Sequence, residues 1–128
     1  MNISLNRIIL FGKDVEGLKN FYTRHFDFKL VEEIAGEWVV LNAGQTEIAF
    51  HKIGSDFISE SDESFRVDSN TKLVFNVDSD LTTFCAGLLQ HGVVLRDIKS
   101  FPGFDYVFCD GEDPEGNVFQ LSQKLNNV

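Results

Sequence analysis

Cysteine, proline and methionine are scarce in this sequence: two Cys, two Pro and one Met in 128 residues. Cys85 and Cys109 form no CxxC pair and no spacing typical of a zinc site. Each lies in an apolar run, which predicts buried, reduced thiols. A Gly-rich phosphate loop and a nucleophile elbow are both missing, so no self-contained catalytic motif is present. The first residues, MNISLNRIILFG, lack a basic segment followed by a long apolar stretch and a cleavage site. No apolar run is long enough to cross a bilayer, and the cytoplasm is the expected location. Positive charge is also in short supply. Eleven Lys and Arg face 20 Asp and Glu, giving a formal net charge of −9 and a pI near 4.6. Such a surface repels nucleic-acid backbones and anionic membranes. It favours a cationic small molecule, and it is equally the ordinary surface of a soluble acidic protein.

Apolar residues make up 43% of the chain, enough for one well-formed core. Thirteen Phe stand against two Tyr and one Trp, and rings of that size belong in a core or a pocket wall. LNRIILF (5–11) reads as a first strand ending at Gly12. Asp14 stands where a helix N-cap belongs. Val15, Leu18, Phe21, Tyr22 and Phe26 follow at helical spacing and predict a helix over 15–26. FKLVEEI, EWVVLNA and TEIAFHKI, punctuated by Gly36 and Gly44, predict a three-stranded meander.

Residues 54–70, GSDFISESDESFRVDSN, carry five acids and one Arg and show no periodicity. They read as a linker or surface loop, with Phe57, Ile58 and Phe65 as candidate anchors. After them the order repeats. TKLVFNV is a strand, and DSDLTTFCAGLLQHG is a helix capped by Asp78 or Asp80 with Gly92 past its end. VVLRDI, FDYVFCDG and NVFQLSQ supply three more strands. The expected architecture is α+β: one domain over 1–128 built from two βαβββ modules, about 5–53 and about 71–125, joined by the acidic linker. Each module leaves one sheet face bare of helix, so a curved mixed sheet enclosing a cavity or a core is expected.

KDVEGLKNFYTRHFDFKLVEE near the start and DPEGNVFQL near the end, with this duplicated order, resemble the vicinal oxygen chelate superfamily. That group includes glyoxalase I, bleomycin-resistance proteins, fosfomycin-resistance enzymes and extradiol dioxygenases. The likeness rests on Asp14, Phe21, Tyr22, Phe26 and the Asp113-Pro114-x-Gly116-Asn117 turn, and it covers nearly the whole chain. It implies a glyoxalase-like fold and a homodimer. It also implies four inward metal ligands in metal-using members, one on the first and one on the last strand of each module. Carried over, these positions fall at Arg7, Ala49, Lys72 and Gln120.

Arg and protonated Lys offer only donors, Ala offers nothing, and Gln offers one neutral carbonyl oxygen. No divalent metal is therefore expected. Glu47, Ala49 and His51 share a face of their strand because side chains alternate, so a shifted site using Glu47 or His51 with Gln120 stays open. Arg7 and Lys72 read either as an anion-binding pair or as partners of internal acids such as Glu47 or Asp105. His51 is a candidate general base or a half-exposed strand-end residue. His25 and His91 stand near helix ends, where a cation is favourable. DGEDPEG reads as a solvated turn, since it lacks a calcium-loop frame. In FPGFDYVF (101–108), Phe101 and Phe104 can line a ligand site or pack in a core.

The candidate ligand-binding residues are thus Arg7, Glu47, His51, Lys72, Phe104 and Gln120. The first functional reading is a metal-free small-molecule binder with a degenerate metal site. The alternative is a metal-dependent lyase, dioxygenase or transferase of the same superfamily using shifted ligands. A partner-binding role with a filled cavity is the third.

Overall fold

The computed structural model describes residues 1–54 and 70–125. Phe57, Ile58 and Phe65 lie outside the described residues. The chain divides into two compact units, Met1–Arg66 and Val67–Val128.

In the first unit the order is β1 (Arg7–Gly12), α1 (Val15–Phe26), β2 (Lys29–Ile34), β3 (Trp38–Asn42) and β4 (Glu47–Lys52). Asp14 caps α1 as its sequence position predicts, its carboxylate accepting from the Gly17 amide at 3.0 Å. The helix ends at Asp27, which takes a left-handed conformation (φ 57°) and donates its amide to the Tyr22 carbonyl. Asp tolerates that conformation better than most side chains, and nothing in the sequence pattern announces it. The strands order as β1-β4-β3-β2, with β1 parallel to β4 and the rest antiparallel. One face carries Val39, Leu41, Ile48 and Phe50, all buried beneath Val15, Leu18, Phe21 and Tyr22 of α1. Tyr22 stacks on Phe50 with centroids 5.2 Å apart. These apolar stripes, of period 3.6 on the helix and 2 on the strands, are what fix the helix to this face.

The second unit runs β5 (Leu73–Asn76), α2 (Leu81–Gln90), β6 (Val94–Leu95), β7 (Lys99–Ser100), β8 (Tyr106–Glu112) and β9 (Val118–Lys124). Asp80, not Asp78, is the cap of α2: its carboxylate accepts from the Thr83 amide at 3.0 Å and the Thr83 hydroxyl at 2.8 Å. The Gln123 side chain adds a second cap from β9, its oxygen accepting from the Leu81 amide at 2.8 Å. Gly92 follows the helix at φ 79°. The sheet orders as β5-β9-β8-β6, with β7 also on β8. Leu81, Cys85 and Leu88 of α2 pack over the face carrying Cys109, Phe119 and Leu121.

Two expectations are corrected here. VVLRDI does not form one full strand. Only Val94–Leu95 pairs regularly with β8, and a separate short segment, Lys99–Ser100, pairs further along it. A β-branched run signals extended backbone, but only the available partner decides where the ladder stops. Nor is DGEDPEG a solvated turn, for Asp113 and Glu115 are buried, at 2% and 6% exposure. Asp113 accepts from the amides of Glu115 (2.9 Å) and Asn117 (3.0 Å) and from the Asn117 side chain (2.8 Å). Those donors satisfy a buried carboxylate that would otherwise be costly. Gly116 takes the positive φ (87°) that the turn into β9 requires.

Candidate functional site

In each unit the sheet face turned away from the helix carries the candidate residues, Phe104 excepted. On the first unit this face forms three rows, because residues paired across strands point the same way. Arg7, Glu47 and Asn42 make one row, and Ile9, Ala49, Val40 and Glu32 the next. Phe11, His51, Trp38 and Ile34 make the third.

Arg7 is paired within this unit. Its Nε and Nη2 both donate to Oε1 of Glu47, at 3.0 and 2.8 Å. Its guanidinium carbon also stands 5.6 Å from the centre of the Trp38 ring, within cation–π range. Arg7 and Trp38 lie two rows apart, so they meet above the middle row. Ala49 and Val40 in that row are fully buried. Trp38 in turn donates its indole N–H to Glu32 at 2.6 Å. His51 is exposed, but its ring is framed edge-on by Phe11 (5.5 Å) and Trp38 (5.8 Å). Phe11 itself is 57% exposed.

On the second unit, Val74, Gln120 and Asp110 are neighbours across β5, β9 and β8. Asp110 is the hub. It accepts from the Lys72 ammonium at 3.0 Å and from the Gln120 amide nitrogen at 3.1 Å. Arg96, whose own amide donates to the Asp110 carbonyl, reaches Glu112 with its side chain at 3.2 Å. Burial by itself would push the Asp110 carboxyl up. Hydrogen bonds from Lys72 and Gln120, with the charges of Lys72 and Arg96, hold it below the ordinary carboxylate value instead. Ser122, also on this face, is buried, so Gln120 is not the only polar side chain that β9 turns this way. Phe104 is 66% exposed at a turn closed by its amide bonding the Phe101 carbonyl.

The structure brings Arg7 and Glu47 together and sets His51 two rows along the same face. In the second unit it brings Lys72 and Gln120 together, through Asp110 and not through Asp105. Phe104 joins neither cluster. Reading by residue type missed Trp38, Glu32, Phe11, Asp110 and Arg96. Alternation does place Phe11 on the face of Ile9, whereas only strand register sets Trp38 beside His51. The acids were hidden because a solvated turn and a strand-edge Glu look alike in sequence.

The four positions that the superfamily resemblance assigns to metal ligands carry residues that do not suit an ion. Arg7 and Lys72 are cations already bound to carboxylates, and the Ala49 methyl is buried. Gln120 directs its amide nitrogen, a donor, at Asp110. Of the shifted ligands, Glu47 already accepts from Arg7, and the His51 ring lies against Phe11 and Trp38. Among the described residues, no three His, Cys, Asp or Glu side chains gather as a metal site.

Comparison with solved structures agrees with this architecture. TnmS3, an antibiotic binding protein from Streptomyces sp. CB03234, is 25% identical over 97% of this chain and 98% of its own, with a TM-score of 0.71. An integron cassette protein from the mobile metagenome of V. cholerae is 25% identical over 96% and 97%, also at 0.71. The fosfomycin resistance protein FosX from Listeria monocytogenes shares the fold at 14% identity, covering 96% and 94%, with a TM-score of 0.75. No curated protein is a significant sequence match. The model of one family spans residues 4–121, nearly the whole length, and the chain therefore belongs to the Glyoxalase/Bleomycin resistance protein/Dioxygenase superfamily.

Proposed function

We propose that this protein binds a small molecule without the help of a divalent metal. The observation that carries the reading is the pair of internal neutralisations. Arg7 is held by Glu47 and Lys72 by Asp110, at the positions where metal-using relatives place ligands. A cation seated beside either pair would have to break it and face an unpartnered guanidinium or ammonium. The likeness to TnmS3, an antibiotic binding protein, supports a binding role. Arg7 and Lys72 are also less suited to a ligand anion than they look in sequence, since each already has its counter-charge.

Two measurements test this. Protein purified without chelators is expected to carry no stoichiometric transition metal, and its Tm is expected to be unmoved by EDTA or by added manganese, nickel or zinc. A panel of small molecules is expected to contain compounds that raise Tm saturably, since a ligand at a hundredfold excess over Kd adds about 2.7 kcal/mol. One tightly held metal per chain, with Tm falling on chelation, would overturn the proposal. The same reading takes the protein to be a cytoplasmic homodimer, which light scattering of the purified protein checks for mass. Among the described residues no helix is long and apolar enough to cross a membrane.

A further inference from the structure

We infer that Cys85 and Cys109 are the two halves of a redox-responsive internal disulfide that clamps α2 onto β8. They are the only cysteines in the chain and lie on different elements, yet the fold sets them against each other. Cys85 is on the buried face of α2 and Cys109 on the sheet face beneath it, at 4% and 1% exposure. Their thiols are hydrogen-bonded to one another. The Cys109 thiol also donates to the Arg96 carbonyl at 3.2 Å, which leaves its sulfur lone pairs to accept from Cys85. Small apolar filling accounts for either cysteine alone. It does not account for the only two thiols meeting.

The oxidant is a low-molecular-weight disulfide such as glutathione disulfide. One cysteine thiolate attacks it and releases one glutathione. The second cysteine thiolate then attacks the mixed disulfide and releases the other. The two protein thiols lose two electrons, the oxidant becomes two thiols, and the two cysteine protons end on the released glutathione. The closed fold keeps the oxidant from both sulfurs, so the exchange begins when α2 lifts from β8 and ends with α2 seated again. Linkage fixes the direction of the effect. Folding makes the bond easier to form by holding the sulfurs together, and by the same factor the bond makes the fold harder to open. The bond closes a loop of roughly 25 residues, for which loop entropy predicts a factor of about a hundred. In a reducing compartment the pair rests as thiols and closes only under oxidant.

The test equilibrates the purified protein with reduced and oxidised glutathione, once in native buffer after refolding from urea and once in concentrated urea. Acid-quenched samples are read by intact mass, the disulfide being about 2 Da lighter than the dithiol. The native equilibrium constant for the disulfide is expected to exceed the unfolded one about a hundredfold. The oxidised protein is expected to unfold at higher urea than the reduced protein. Cys85→Ala and Cys109→Ala should each abolish that difference and yield at most one glutathione adduct. A native constant equal to or below the unfolded one overturns the inference. So does a doubly glutathionylated chain, a disulfide between two chains, or an oxidised form that unfolds at lower urea.

Discussion

Gln120 donates its side-chain amide to Asp110, 3.1 Å away on the residue it directly faces across β9 and β8. A carboxylate only accepts, so this contact sets the amide's orientation and turns the Gln120 carbonyl oxygen away from Asp110. The same carboxylate holds Lys72. One acid thereby positions both Lys72 and Gln120.

Asp110 should leave a signature in the pH dependence of stability. Its folded carboxyl titrates below the ordinary value of 3.8. The stability it contributes is therefore full above about pH 4 and is lost as pH falls through the folded value. The pair is partly exposed, so the effect is modest, under about 1 kcal/mol. Urea titrations from pH 7 downward should show the gap between Asp110→Asn and the parent begin to narrow only below the ordinary value of 3.8. A constant gap at every pH would count against this role.

Gly111 should tolerate no side chain. A methyl group there would stand 2.6 Å from both the Leu95 and the Phe119 side chains. Gly111→Ala is expected to cost about 1–3 kcal/mol through overpacking, read as a lowered urea midpoint with an unchanged m-value.

Asp113 should matter more for folding than for binding. Asp113→Ala leaves the amides of Glu115 and Asn117 without their acceptor inside a buried turn. A loss of about 2–3 kcal/mol is expected, with ligand affinity unchanged in the fraction that remains folded. Asp113→Asn, which keeps one acceptor oxygen, should lose less.

The cysteines should be inert in the native state. Burial, with the Cys109 thiol alongside, pushes the Cys85 thiol up to about 12, and burial raises Cys109 as well. Almost no thiolate exists at pH 8, and the thiolate is the reactive species. Ellman's reagent should therefore label neither thiol until denaturant is added, when both should react.

Much of this was readable from residue order. Asp14 and the stripe of Val15, Leu18, Phe21 and Tyr22 define where α1 starts and which face it buries, because capping and helical period are local properties. The turn at Asp113–Asn117 was legible for the same reason, although its burial was not. The split of VVLRDI into a shorter strand and the addition of Lys99–Ser100 depend on pairing with β8, a partner distant in sequence.

The sequence by itself determined the duplicated α+β plan, the acidic charge and the presence of Arg7, Ala49, Lys72 and Gln120 at their strand positions. Periodicity and side-chain type carry that information without reference to neighbours. The tertiary structure alone decided which acid meets which base: Glu47 takes Arg7, and Asp110 takes Lys72 and orients Gln120. It also placed Trp38 against Arg7 and His51. Such contacts join residues tens of positions apart, and strand register sets them. Register is a cooperative outcome of the whole sheet and not a property of any one segment.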